Sequence, residues 1–201
     1  MSRPKTPVFW FALAVFLTAV LTFLGPQEKS LGEDVRIVYL HAAWVLTAEA
    51  ALAVAGLAGL FGILTRRDGF QRWSAALGHT GIFFWVTYLP LSLWAMQTNW
   101  NGLFLTEPRF RLAVVFAVTG VLLQIGLALI ARPVITSLTN ALFVIALRIA
   151  FSQTSYVMHP APSPIFGSGN LAIELYFIGL AFLTLAAAYF MARWWLTVQR
   201  A

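Results

Sequence analysis

The sequence predicts an all-α, polytopic membrane protein: a bundle of six transmembrane helices with both termini cytoplasmic. Three observations carry this. The 201 residues are 60% hydrophobic and only 10% charged, with a mean hydropathy of +0.82, which leaves too few polar side chains to cover a soluble domain. The apolar residues come in continuous runs rather than in alternation, and because lipid requires every backbone group to be satisfied internally, such runs are helices and not barrel strands. Finally, the connectors alternate in character, and basic residues mark every second one.

Six runs, each near the ~20 residues that cross a hydrocarbon core, fall at about 8–25, 37–64, 75–96, 112–131, 134–152 and 171–192. The first follows Arg3 and Lys5 as a signal sequence would, but Phe23-Leu24-Gly25 makes a poor cleavage site, so it reads as a retained helix. The second opens after Arg36 and stops before Arg66-Arg67-Asp68. The third follows Arg72 and holds Pro90, which is expected to kink it near its outer end. The fourth and fifth are parted by Arg132-Pro133. The sixth runs into Arg193 and Trp194-Trp195, an interfacial anchor. With Arg3, Lys5 and Arg200, these basic residues share one side, which the positive-inside rule makes cytoplasmic. Connectors 26–36, 97–111 and 153–170 are then extracytoplasmic, although they too carry Lys29, Arg36, Arg109 and Arg111. The chain reads as one domain, 1–201, in a plasma or inner membrane. With no cysteine, thiolate ligation, disulfide exchange and thioether attachment of a cofactor are excluded. No basic groove with interleaved aromatics suggests nucleic acid.

The connector between the third and fourth runs is more elaborate than a link requires. From Trp94 to Arg111 it carries two tryptophans, two arginines, Glu107, Gly102 and Pro108. Aromatic faces at a membrane rim suit a flat apolar ligand, and guanidinium groups suit carboxylates at its edge; haem has that shape and that chemistry. Of the three histidines, His41 lies near the outer start of the second run and His159 in the last outer connector. His79 begins the third run, roughly 25 Å below that helix's outer end at ~1.5 Å per residue. Two axial imidazoles must both approach the metal to ~2.0–2.1 Å, so His41 and His159 form the only workable pair. Trp100 and Phe104 would then lie against the porphyrin, while Arg36, Arg109 and Arg148 reach its propionates.

Blander readings stand beside these. A rim tryptophan such as Trp94 is ordinarily a belt residue, a lone interfacial His is ordinarily a hydrogen-bonded one, and outer arginines meet lipid phosphates. His79 reads as a buried polar residue. Within the hydrocarbon, Arg148 is expected to pair with Glu49 or Glu174; the alternative has Arg148 on a propionate and Glu49 orienting a histidine. Glu107 is expected to fix Arg109 or to cap a helix beginning at Pro108.

Two stretches resemble a known family. Arg36-Ile37-Val38-Tyr39-Leu40-His41-Ala42-Ala43-Trp44 is similar to the R-x-x-Y-x-H-V-P-x-x-W start of a core helix in the CcmC-type haem-handling proteins of cytochrome c maturation, without the Val-Pro after the His. Trp100 to Phe110 resembles that family's W-G-x-W-W-x-W-D-x-R-L motif: Trp100, the acid at Glu107 and Arg109 are in register, while three tryptophan positions hold Leu103, Phe104 and Thr106. The surroundings of His159, Met158-His159-Pro160, differ from the family's second histidine context. The resemblance implies a protein that holds haem at the outer surface through His41 and His159 and presents its vinyl edge over the aromatic loop. It also implies a periplasmic haem chaperone and an ABC transporter as partners. Two other classes compete: a haem b electron-transfer subunit, which needs paired histidines at matched depth inside the bundle, and a secondary transporter for a small anion. The latter would route solute past Arg148, Glu49 and Glu174, with broken helices and an inverted repeat.

Overall fold

The computed structural model describes residues 6–154 and 165–199. These form six helices: α1 Thr6–Phe23, α2 Val35–Thr65, α3 Asp68–Trp100, α4 Pro108–Ile130, α5 Pro133–Ser152 and α6 Leu171–Val198. Five are long and apolar enough to cross a membrane, which marks the chain as a helical membrane protein.

The exception is α3, and its place in the bundle explains why. It packs against α2, α4, α5 and α6, and its polar residues Gln71, Ser74, Thr80, Tyr88 and Ser92 are buried against those neighbours. A helix sheathed by other helices meets protein rather than lipid, so it can carry hydroxyls and amides that a lipid-facing span cannot. Asn140 of α5 donates to the Ser74 carbonyl at 2.9 Å and to its hydroxyl at 3.2 Å, and Gln124 of α4 donates to Asn140 at 3.1 Å. This chain ties three helices together through α3.

Small residues set the other seams. A Cβ on Gly59 would come to 2.8 Å from the Ser137 carbonyl oxygen, and one on Gly56 to 3.2 Å from the Ala141 Cα, so α2 and α5 touch nearly backbone to backbone. Ala43, Ala48 and Ala55 are fully buried on the same helix. Such close approach is how membrane helices gain dispersion contact without a hydrophobic drive. The Thr47 hydroxyl donates to that of Thr184 at 2.7 Å, joining α2 to α6.

The helix ends depart from the expected ones in ways the local chemistry accounts for. α1 stops at Phe23 rather than near 25, because the chain turns where Gly25 closes on the Tyr176 hydroxyl, 2.9 Å from where a Cβ would stand. α3 begins earlier than 75 and passes through Pro90 as one helix to Trp100. The connector expected at 97–111 therefore shrinks to 101–107: Trp100 is the last helical residue of α3, and Arg109 and Arg111 belong to the first turn of α4. Glu107 caps α4 by accepting from the Phe110 N–H, with Pro108 at the first helical position, as expected. The α2–α3 and α4–α5 connections are turns of two residues, Arg66-Arg67 and Ala131-Arg132, with Arg66 and Ala131 at φ 54° and 52°.

The helices do not end level. Trp85 of α3 marks a common height, since its indole donates to the Ala113 carbonyl of α4 at 3.1 Å and its ring meets Phe151 of α5 at 5.6 Å. From there α3 climbs about 22 Å to Trp100, whereas α4 begins about 8 Å above Ala113 and α5 ends about 2 Å past Phe151, at ~1.5 Å per residue. α2 climbs with α3, held to it by the Trp44 indole on the Thr87 hydroxyl at 2.8 Å and by Asn99 on the Asp34 carbonyl at 3.1 Å. At this end α2 and α3 therefore rise past the ends of α4 and α5, and the step between the taller and the shorter pair is termed the recess.

Candidate functional site

The recess collects the charged and aromatic residues of this end of the bundle. On its wall, the half-buried His41 ring stands 5.6 Å from the ring of Tyr88, itself buried. On its floor, the Arg109 guanidinium sits 6.0 Å from the centroid of the Phe151 ring, a cation–π contact, within electrostatic reach of Glu49 and Tyr88. Arg148, near the end of α5, binds Glu49 of α2 at 3.1 Å, the first of the two pairings the sequence suggested. Glu107 is buried at the α4 cap; one oxygen takes the Phe110 N–H and the other, Oε1, has no hydrogen-bond donor among the described residues. The Phe104 carbonyl accepts from the Glu107 N–H at 3.0 Å, so the Phe104 loop is anchored directly over the α4 cap.

Other expected members lie elsewhere. Arg36 donates from Nε to the Gly25 carbonyl at 2.9 Å and meets Glu33 at 3.2 Å, so it fastens the α1–α2 loop. At 3.6 residues per turn its position is about 140° around α2 from that of His41, and the structure does not bring the two to one face. Trp100 is 40% exposed at the tip of α3, about 18 Å along that helix from Tyr88. Arg111 is exposed on the first turn of α4. Glu174 is in the first turn of α6 and does not pair with Arg148. Trp94 is exposed, as a belt residue is. His159 lies outside the described residues; of the segments that flank it, Thr154 follows the end of α5 and Ile165 joins the apolar cluster of α2 and α6 that includes Val35, Tyr39 and Phe177. Among the described residues, no group of three or more His, Cys, Asp or Glu side chains is placed to hold a metal ion by itself.

Two participants went unrecognised in the sequence. Tyr88 and Phe151 form the aromatic lining beneath His41 and Arg109, and each sits within an apolar run where nothing in the spacing distinguishes it from core. Outside the helices at this end, the Glu28 carboxyl is held below its ordinary range by the Ser30 hydroxyl, then by the Ser30 and Leu31 N–H groups, which fold the α1–α2 loop into a tight knot.

The far end of the bundle holds an opening that the sequence did not suggest. Around His79, the first turns of α3, the α4–α5 turn and the end of α6 enclose a cleft of about 470 Å³. The His79 ring packs on Trp195 at 4.8 Å, so it is partly sheltered but not sealed in the interior as the sequence suggested. Searches of protein-family models, of curated proteins and of solved structures give no match to this chain.

Proposed function

We propose that this protein binds haem in the recess above α4 and α5, at the extracytoplasmic face of a plasma or inner membrane, and presents it for transfer during assembly of c-type cytochromes. In this reading all six helices span and both termini are cytoplasmic, because Arg66, Arg67, Arg72, Arg132 and Arg193 gather at the end opposite the recess. The observation that carries it is His41 on the recess wall, backed by Tyr88, with the guanidinium groups of Arg109 and Arg148 at the floor. That donor set fits the group: an imidazole for the iron and two fork-shaped cations for its carboxylates, beside aromatic surface.

His41 and His159 would hold the iron, His159 belonging to the connector between α5 and α6, which both meet this end of the bundle. Bound haem supplies an iron centre that accepts two neutral imidazoles and two carboxylates that accept guanidinium hydrogen bonds. Arg109, held against Phe151, is one propionate ligand; Arg148 is the other when it exchanges Glu49 for the ligand's carboxylate. Phe104, over the α4 cap, would flank the exposed edge, while Trp100 stands further out at the tip of α3. Arg36 has no part in binding, since it is committed to Gly25 and Glu33. By resemblance to the cytochrome c maturation proteins, the partners are a periplasmic haem chaperone and an ABC transporter.

The test is the absorption spectrum of the protein purified in detergent, repeated with His41→Ala, His159→Ala and His79→Ala. A Soret band abolished or shifted by either of the first two and kept by the third supports the reading. A band lost only with His79→Ala moves the site into the bundle, and no band after haem is added ends the proposal.

A further inference from the structure

At the end opposite the recess, two hollows meet at one residue. The cleft of about 470 Å³ is lined by Gln71, Arg72, His79, Arg132, Thr136 and Gln199 among others. A second groove of about 300 Å³ lies beside it between α3, α4 and the end of α6, lined by Ile82, Phe83, Val86, Val121 and Ile125. His79 lines both, so the two hollows adjoin at its ring and together mark a path from the basic end of the bundle toward its exposed flank.

The chemistry along this path changes in a fixed order. At its mouth Arg72 and Arg132 are exposed, and neither has an acidic partner among the described residues. The two-residue turn fixes Arg132 there, between Ala131 in the left-handed region and Pro133 at the start of α5. At the junction, three side chains offer polar atoms. The Trp195 indole N–H and the Gln124 Oε1 are buried without hydrogen-bond partners, and His79 makes no hydrogen bond among the described residues. A buried polar atom left without a partner costs ~1–3 kcal/mol, and of these two the Trp195 N–H is the donor, open to an acceptor atom from a ligand. Beyond the junction the groove is lined almost wholly by hydrocarbon.

Cations, then unpartnered polar atoms, then an apolar channel are the complement of an anionic head, a hydrogen-bonding neck and an alkyl chain. We propose that this path is a binding site for one anionic glycerophospholipid. Its phosphate sits between the guanidinium groups of Arg72 and Arg132, a glycerol ester carbonyl accepts the Trp195 N–H, and one acyl chain lies along Ile82, Val86 and Ile125. A neutral lipid would leave the two arginines unused, and a free phosphate would leave the groove unused. The site is independent of the haem reading, being built from the opposite ends of the same helices.

The test compares full-length wild type with Arg72→Gln/Arg132→Gln, with Trp195→Phe, and with a control, Arg66→Gln/Arg67→Gln. The control removes the same charge from the same end without touching the path. Each protein is purified in mild detergent and examined by native mass spectrometry after incubation with phosphatidylglycerol or phosphatidylcholine. Wild type and control are expected to retain one phosphatidylglycerol. The arginine pair is expected to bind it about tenfold or more weakly, as loss of two charge-assisted contacts implies, and Trp195→Phe several-fold more weakly while still folding. Equal loss in the control reduces the effect to general charge attraction. Equal retention of phosphatidylcholine, or displacement of the lipid by millimolar inorganic phosphate, refutes the lipid assignment.

Discussion

Substituting Gly59 by Ala sets two known effects against each other, and the structure decides the sign. In a helix interior the change favours the helix by ~0.8–1 kcal/mol, because glycine is the more costly residue to order. Against this, the new methyl carbon would lie 2.8 Å from the Ser137 carbonyl oxygen and 3.0 Å from the Ser137 Cα, both backbone atoms of α5, and 2.8 Å from the Ser74 hydroxyl. Backbone cannot rotate aside, so α2 and α5 must part, at the ~1–3 kcal/mol typical of an overpacked site. The Ser74 hydroxyl also accepts from Asn140, so the strain reaches the α3–α4–α5 network. The expected net result is a destabilisation of up to about 2 kcal/mol, and of about 1–3 kcal/mol relative to a site where the helix gain is kept without the clash. Gly126→Ala, with nothing within 4 Å of its added methyl, is the matched control and should be neutral or stabilising. Reversible unfolding of both variants in bicelles measures the difference. A Gly59→Ala protein as stable as its Gly126→Ala counterpart would show that the α2–α5 seam is not as tight as described.

Other consequences are as concrete. A double-mutant cycle on Glu49→Gln and Arg148→Gln should give a coupling of only about 0.2–1 kcal/mol, because the Arg148 side chain is 65% exposed and its charge is screened; a coupling near zero would mean the two do not pair. Removing the α4 cap by Glu107→Ala should cost about 0.5–2 kcal/mol and speed amide exchange at Phe110, and an unchanged Phe110 amide would refute the cap. Arg109→Gln is expected to weaken haem binding more than Arg36→Gln, read by titration of the Soret band; the reverse order would place the carboxylate contact on the other face of α2. The depressed Glu28 carboxyl contributes to the α1–α2 loop above its ordinary, unfolded range, and that contribution is lost as pH falls through its lower folded value. Protection of the Ser30 and Leu31 amides, measured as exchange relative to the intrinsic rate at each pH, should therefore fall on acidification, and Glu28→Gln should abolish most of the dependence.

The six helices were readable because lipid imposes length and continuity on each apolar run. Their ends were less so. Nothing in the composition of 97–111 tells that α3 persists through Trp100, since the stop is made by Asn101 at φ 51° and the restart by the Glu107 cap. The Glu49–Arg148 pair could be foreseen because two opposite charges stranded at similar depth have few other partners. Arg36 could not be separated from His41 by reading alone: they share one short motif, yet helical rotation points them to different neighbours. The aromatic lining from Tyr88 and Phe151 and the basic cleft from Arg72 and Arg132 depend on which helices adjoin, and sequence order is silent on that.

The brevity of the Arg66-Arg67 and Ala131-Arg132 turns bears on how the chain enters a bilayer. In the proposed six-span topology a two-residue link would leave neither of its helices room to act alone, so α2 with α3, and α4 with α5, would partition as helical hairpins with the arginines at each bend. For the first hairpin that topology would resolve a difficulty: α3 falls short of the apolar length of the other five helices, and α2, more apolar and packed along it, would bring it in as a passenger shielded on one side.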